Sequence, residues 1–180
     1  QVQNNARTIE GELNKALQEV TGEEIQVIGA SRTDAGVHGL CNVAVFDTLS
    51  RIPGEKFSYA LNQRLPEDIR VRESGEVPCD FHPRRCKSRK TYEYHIFNSA
   101  FPNPVRRLYS HFTYVPLDIE KMRQAAGYFP GEQDFASFCS TGSQAETTVR
   151  TIYELEVEKE GEEIVIRVTG SGFLYNMVRI

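Results

Sequence analysis

Apolar residues recur at helical spacing in three parts of the chain. Between residues 8 and 20 the apolar positions are Ile9, Leu13, Ala16, Leu17 and Val20. This spacing predicts an amphipathic helix that begins at Thr8 and ends near Thr21-Gly22. The same pattern predicts helices over 57–65 and 118–129, the second with Asp118 as its N-cap.

Other apolar runs are rich in β-branched and aromatic residues and are bounded by Gly, Pro, Ser or Asn, which predicts strands. These runs are 25–28, 43–46, 69–74, 88–98 and 109–115. Residues 151–159 and 162–169 flank Glu160-Gly161 and predict a hairpin. The order of elements predicts an α+β fold in two halves, 1–78 and 79–180, with the boundary in the break near 75–80.

A polar, small-residue segment, 29–42, separates the first two predicted strands. A short loop between strands is a common place for functional side chains, and Asp34 is the first candidate. Spacing alone favours a turn aspartate bonded to nearby backbone N–H groups. The alternatives are a carboxylate nucleophile or acid–base group, and a metal ligand together with His38, for which no third ligand is evident.

Composition excludes some classes of protein. No apolar run approaches the ~20 residues that span a bilayer. The four cysteines form no CxxC pair, which favours reduced thiols and a cytoplasmic location. The chain begins without methionine and stops inside an apolar run, so we expect a piece of a longer protein.

The net charge of −4 argues against a nucleic-acid partner, but the charge is unevenly distributed. Basic residues cluster over 84–90, next to Tyr92 and Tyr94. A charge run is usually a solvated face and a strand tyrosine is usually core, yet RNA-binding grooves use the same combination. Arg32 has the same two interpretations, as a surface residue and as a phosphate or base contact.

Residues 170–179 form a third candidate region, Gly-Ser-Gly followed by an apolar run and Arg179. Gly-x-Gly is a weak phosphate-loop signal. We expect Arg179 to be half buried, because it follows five largely apolar residues. A buried guanidinium needs an anionic partner, and Asp34 is a candidate.

Three motifs resemble those of the tRNA pseudouridine synthase A family. Ser31-Arg-Thr-Asp-Ala-Gly-Val-His38 is similar to the segment around the family's catalytic aspartate, Lys90-Thr-Tyr-Glu-Tyr94 to its second motif, and Gly172-Phe-Leu-Tyr-Asn-Met-Val-Arg179 to its third. Further similar blocks are 60–69, 80–84, 134–139 and 149–152. Ser31 stands where the family usually has Gly, and the family's first strand and C-terminal segment are absent, so the chain resembles a member truncated at both ends.

The resemblance implies two similar α/β subdomains whose antiparallel sheets join into one extended sheet, with helices on one side and an active-site cleft between the halves. It implies a tRNA pseudouridine synthase, a homodimer that acts at tRNA positions thirty-eight to forty without cofactor, metal or membrane. Asp34 would be the essential carboxylate, Tyr92 would pack on the base and Arg179 would pair with Asp34. The implied tRNA-binding residues are Arg32, His38, Arg84, Arg85, Lys90 and Arg150.

Two other classes compete with this interpretation. A non-catalytic RNA-binding protein would have no reason to keep Asp34, Tyr92 and Arg179 together. A hydrolase acting on a glycosidic bond normally uses a second catalytic carboxylate, and no second one sits in a comparable loop.

Overall fold

A computed structural model of the chain describes residues 2–143 and 145–180. The chain divides into two compact units, Gln1–Cys86 and Lys87–Ile180, which we call unit 1 and unit 2. Within the described residues, no helix combines the length and apolar character that crossing a membrane requires.

Unit 1 begins with helix α1, Ile9–Thr21, as the hydrophobic pattern predicts. The Thr8 hydroxyl accepts a hydrogen bond from the Gly11 N–H at 3.1 Å and caps the first turn. Gly22 ends the helix with a φ of 76°, a left-handed conformation that favours glycine. The helix buries Leu17 completely and contributes Ala16 to the same core.

The other regular elements of unit 1 are short. Strands β1, Ile28–Gly29, and β2, Ala44–Val45, form a two-stranded antiparallel ribbon, and helix α2 covers Phe57–Asn62. The core side chains of this unit come from α1, α2 and the segments beside them: Ala16, Leu17, Ile25, Val27, Phe57, Leu61, Leu65 and Ile69. Most of unit 1 outside its helices is therefore irregular chain that packs on one small core.

The strand predicted over 69–74 is wrong. The Asn62 side chain donates to the Val71 carbonyl at 2.8 Å and accepts from the Val71 N–H at 2.8 Å. One amide side chain thus satisfies the two main-chain groups that a neighbouring strand would have used. These residues therefore join neither of the two sheets.

Unit 2 is built on a five-stranded sheet in the order β4-β3-β7-β6-β5. The strands are β3, Lys90–Asn98; β4, His111–Thr113; β5, Gly131–Asp134; β6, Val149–Glu160; and β7, Glu163–Gly170. The β6–β7 hairpin is confirmed, and Gly161 has the positive φ of 60° that a tight two-residue turn requires. Strand β5, sequence GEQD, was not predicted because it is a fully exposed edge strand with no apolar alternation.

Helix α3, Ile119–Ala126, packs Ala126 against Ile96, Val157 and Ile164 of the sheet. Asp118 caps the helix as predicted, since its carboxylate accepts from the Lys121 N–H at 3.1 Å. That bond also lowers the pKa of Asp118. A second core cluster in unit 2 contains Phe135, Ile152, Val168, Leu174 and Met177.

The predicted α+β class is confirmed, with helices and sheets in both units. Strand pairing differs in two respects from the expected continuous antiparallel sheet. The strands fall into two sheets, one in each unit, and β3 pairs with β4 in parallel.

Candidate active-site residues

Asp34 lies in the loop that joins β1 to β2, and it is exposed. The loop is closed at its base by the Ala30 N–H, which donates to the Val43 carbonyl at 2.7 Å. Within the loop, the Val37 N–H donates to the Asp34 main-chain carbonyl at 3.2 Å, and Gly36 has a φ of 81°. A positive φ at the third position of a turn favours glycine. The turn therefore depends on the Gly36 conformation and is closed by a hydrogen bond to the main-chain carbonyl of Asp34.

Side chains from outside the ribbon also hold this loop. The Arg84 Nε donates to the Gly29 carbonyl at 2.8 Å, and the Arg72 Nη1 reaches the Leu40 carbonyl at 3.4 Å. The Asn42 amide donates to the Ser31 carbonyl across the base of the loop at 3.3 Å. Arg84, predicted to bind tRNA, is thus placed at the base of the Asp34 loop.

Arg32 and His38 share this loop with Asp34, and both are exposed. Arg85 is exposed in the turn at the end of unit 1, where its N–H donates to the His82 carbonyl at 3.0 Å. Unit 1 therefore carries the candidate carboxylate and four of the predicted tRNA-binding residues, Arg32, His38, Arg84 and Arg85, on exposed, irregular segments.

Tyr92 is held by the sheet of unit 2. It lies in β3 opposite Val168 of β7, half buried, and its ring packs edge-on against Phe173 with centroids 5.0 Å apart. Both rings belong to the cluster around Phe135, Ile152 and Val168. Edge-to-face packing fixes the plane of the tyrosine ring. Lys90 is partly buried at the start of the same strand, opposite Gly170.

The segment after β7 folds into two successive turns. The Met177 N–H donates to the Leu174 carbonyl at 3.1 Å, and the Arg179 N–H donates to the Asn176 carbonyl at 2.8 Å. Asn176 adopts a φ of 60°, and its amide donates to the Ser140 hydroxyl at 3.1 Å. Leu174 and Met177 are buried in the same cluster as Tyr92.

Arg179 lies at the exposed end of this segment. The apolar run does not form a strand or helix that buries its whole length. Instead, the two turns send Leu174 and Met177 inward, three residues apart, and Arg179 lies beyond the second of them.

Arg150 is partly buried in β6 opposite Gln133. Its Nη1 donates to the carbonyls of Thr147 and Val149 at 2.8 and 2.6 Å. A Cβ on Gly172 would stand 3.9 Å from the Arg150 Nε, so this guanidinium lies beside the segment that leads to Arg179. In unit 2 the structure brings Tyr92, Lys90, Arg150 and the 170–179 segment to one end of the sheet.

A charged network on β3 and β7 was not predicted from the sequence. His95 lies 3.0 Å from Glu163 and 3.3 Å from Glu93, and Arg106 also pairs with Glu163. Hydrogen bonding to His95, with a further bond to Arg106, lowers the pKa of Glu163. A bond from Arg167 lowers the pKa of Glu93, and the pairing raises the pKa of Arg167. The sequence signal was the alternation Glu93-x-His95, but only the β3–β7 register brings Glu163 and Arg167 to it.

A contact between Arg89, just before β3, and Tyr153 of β6 was also missed. The Arg89 guanidinium lies 4.7 Å from the centre of the Tyr153 ring, a cation–π arrangement.

All four cysteines are free thiols. In the part of the chain that the structure describes, no three His, Cys, Asp or Glu side chains are grouped to hold a metal ion.

Similarity to known proteins identifies the family of this chain. A family model described as tRNA pseudouridine synthase matches residues 1–84 and 125–180. The tRNA pseudouridine synthase A of Acetivibrio thermocellus is 49% identical over 180 residues, which are the whole of this chain and 74% of that protein. The proteins of the same name from Thermoanaerobacter sp. and Brevibacillus brevis are each 48% identical, with the same coverage. The residues that the family model matches include the Asp34 loop and Arg179, and the relatives, aligned over the whole chain, also cover Tyr92. The chain therefore belongs to the tRNA pseudouridine synthase family.

Proposed function

We propose that this chain converts uridine to pseudouridine at positions thirty-eight to forty of the tRNA anticodon stem-loop, with Asp34 as the essential carboxylate. Family membership makes the chain an isomerase that acts on tRNA uridine. The observation that supports the role of Asp34 is its place in an exposed turn of a loop that contains no other acidic residue.

The reaction is an isomerisation. The bond from uracil N1 to ribose C1′ breaks, the base turns, and a bond forms from C5 to C1′. N1 gains a proton and C5 loses one, so atoms and electrons balance within the substrate, and the chemistry requires no redox cofactor. Asp34 would act by attacking C1′, by attacking C6, or by removing a ribose proton, and these three routes stay open.

The exposure of Asp34 fits a substrate that must leave its stack. A carboxylate on a protein loop cannot reach C1′ inside an RNA helix, so the target nucleotide has to flip out, which costs a few kcal/mol. Arg32 lies two residues before Asp34 on the same exposed loop. We propose that Arg32 offsets part of the cost by filling the vacated position or by holding a phosphate.

Tyr92 suits a role as the surface on which the flipped base packs. Its ring plane is fixed by the edge-on contact with Phe173, and the ring is only half buried. Stacking of a base on an aromatic face contributes about 1–3 kcal/mol. The Tyr92 phenol is proposed to assist removal of the C5 proton late in the reaction.

Arg179 is proposed to pair with Asp34 and so favour the ionised carboxylate that the chemistry needs. The basis is the resemblance of 172–179 to the family's third motif, together with the exposed side chain of Arg179. Its test is the loss of turnover in Arg179→Met with partial recovery in Arg179→Lys, which keeps the charge.

The tRNA backbone is proposed to lie along basic and polar side chains of both units: Arg32, His38, Arg85, Lys90 and Arg150. Arg150 already donates to two main-chain carbonyls, so its phosphate contact uses its remaining N–H groups. We also propose that the enzyme works as a homodimer in the cytoplasm, where unmodified tRNA is available.

Tritium release tests this function against its competitors. Unmodified tRNA carrying 5-tritiated uridine is incubated with the protein, and released tritium and free uracil are measured together. The proposal predicts tritium release without free uracil. Free uracil would indicate a hydrolase, and the absence of both would indicate a protein that binds RNA without modifying it.

The positions are tested with tRNA in which each uridine from thirty-eight to forty is replaced by cytidine. Replacement of all three is expected to abolish tritium release. Unchanged release from that tRNA would place the modified uridine elsewhere.

A further inference from the structure

The carbonyl of Gly29, the last residue of β1, faces away from its partner strand. The Ala30 N–H donates to the Val43 carbonyl, so residues 30 and 43 form a hydrogen-bonded pair. The next pair, Gly29 and Ala44, is then one whose main-chain groups point outward from the ribbon. The sheet order shows no third strand beside β1 among the described residues.

Arg84 occupies this outer edge. Its Nε lies 2.8 Å from the Gly29 carbonyl oxygen, within the usual range of a charge-assisted hydrogen bond. The residue comes from a turn that is fixed independently of the ribbon. In that turn the Arg84 and Arg85 N–H groups donate to His82, at 3.2 Å to Nδ1 and 3.0 Å to the carbonyl, and Pro83 is buried.

The ribbon itself is short, with two residues in each strand. Isolated two-stranded ribbons are marginally stable in water, so the position of their connecting loop depends on contacts from outside. The bond from Arg84 joins a separately folded turn to the strand residue five positions before Asp34.

We propose that Arg84 is a positioning residue, which holds the Asp34 loop in place through the Gly29 carbonyl. Without this bond the reaction is slower. The inference rests on the proposed function of Asp34 as the catalytic carboxylate. It differs from the tRNA-binding role that the sequence suggested for Arg84, because a phosphate contact depends on charge whereas the anchor depends on a donor at the Nε position.

Three substitutions separate the two roles. Arg84→Gln removes the charge but keeps an N–H donor the same number of bonds from Cα as Nε. Arg84→Lys keeps the charge but moves the donor one bond further out, and Arg84→Met keeps neither. Arg85→Met, in the neighbouring exposed residue, serves as the comparison for loss of a phosphate contact.

The measurements are the single-turnover rate of pseudouridine formation at saturating enzyme, and the tRNA Kd at several salt concentrations. The anchor predicts that Arg84→Met and Arg84→Lys lose roughly tenfold in rate, since small misplacement of a catalytic group is costly. Arg84→Gln is expected to recover most of that rate. The tRNA Kd and its salt dependence are expected to stay near those of the wild type in all three, whereas Arg85→Met weakens binding.

Amide hydrogen exchange of the free protein adds a readout that does not depend on activity. Residues 30–43 are expected to exchange faster in Arg84→Met than in the wild type, while α1 exchanges at an unchanged rate. The exchange of α1 also shows whether the variant is folded.

The inference is overturned if Arg84→Lys matches the wild type while Arg84→Gln and Arg84→Met bind tRNA more weakly with a salt slope reduced by about one. It is equally overturned if all three variants match the wild type in rate and exchange. If the wild-type protein makes no pseudouridine, the proposed function fails. Hydrogen exchange then decides alone whether Arg84 anchors the loop.

Discussion

The two regions that carry the principal candidate residues are supported in different ways. Asp34 lies on a loop of a ribbon with two residues per strand, and side-chain bonds from Arg84, Arg72 and Asn42 hold that loop. Tyr92 lies in a nine-residue strand that pairs along β7, with its ring packed in a buried cluster. The difference is that exposed side-chain hydrogen bonds reach the first region at a very short ribbon, whereas the second is part of a long strand with a core behind it.

This difference matches the tasks proposed for the two residues. A base that flips out of an RNA helix needs a fixed surface on which to stack. The Tyr92 ring, whose orientation is fixed by edge-on packing, provides one. The carboxylate must instead approach a ribose that is brought in by a large substrate. Segments with few buried contacts open with low free energy, so we expect the Asp34 loop to adjust when tRNA binds while the Tyr92 ring stays in place.

Among the tests of this contrast between the two regions, substitution of Tyr92 is expected to have the largest effect. Tyr92→Phe keeps the ring and its contact with Phe173 but removes the phenol. We expect the single-turnover rate to fall about a hundredfold, the lower range for loss of an acid–base group, with an unchanged tRNA Kd. Tyr94→Phe, two residues along the same strand, is the matched control and should behave as the wild type. A collapse of tRNA binding in Tyr92→Phe would make Tyr92 a binding residue first.

Core substitutions test whether the two units are supported separately. Leu17 in unit 1 and Ile164 in unit 2 are both fully buried. Leu17→Ala and Ile164→Ala should each lower the free energy of unfolding by about 3 kcal/mol, because each leaves a cavity. Hydrogen exchange should show the loss of protection mainly in the unit that carries the substitution. Equal losses in both units for either variant would contradict separate support.

The smallest expected effect concerns the charged network on the sheet of unit 2. His95, with Arg106, lowers the pKa of Glu163 below its ordinary value of 4.5. A carboxyl whose pKa is lower in the folded state stabilises the protein above its unfolded pKa and loses that contribution as pH falls through the folded pKa. Denaturant unfolding should therefore show a steeper fall in stability below about pH 4.5 for the wild type than for Glu163→Gln.

The effect should be modest, because the Glu163 side chain is 27% exposed and partly exposed ion pairs contribute little. Parallel curves down to pH 3 would show that the His95 and Arg106 contacts do not persist in solution.

Local sequence signals predicted the elements whose causes are local. Helix α1 has its apolar stripe, its Thr8 cap and its terminal Gly22, and the β6–β7 hairpin has alternating strands around Gly161. Strand β5 escaped prediction because an exposed edge strand needs no apolar residues. Residues 69–74 form no strand, because the Asn62 side chain bonds both main-chain groups of Val71 and so takes the place of a partner strand there. Hydrophobic periodicity does not reveal such a contact.

The candidate site shows the same contrast between features with local causes and features that depend on distant residues. Resemblance to family motifs identified Asp34, Tyr92 and Arg179 as candidates in the sequence. It did not predict their exposure or the side chains that contact their segments. The exposure of Arg179 follows from two turns closed by backbone bonds, and the bond from Arg84 to Gly29 joins residues far apart in the chain. Such contacts form only when the fold brings distant residues together, so they cannot be predicted from composition or from the spacing of residues.

The central claim is that the carboxylate of Asp34 performs the chemistry. The direct test is single-turnover pseudouridine formation by Asp34→Asn, with the tRNA Kd measured on the same preparation. Asparagine keeps the size of the side chain and can occupy the same turn, so the loop should be retained while the charge is lost. The account predicts no detectable pseudouridine and a tRNA Kd close to that of the wild type. Turnover within about tenfold of the wild type, a barrier change of only ~1.4 kcal/mol, would contradict it.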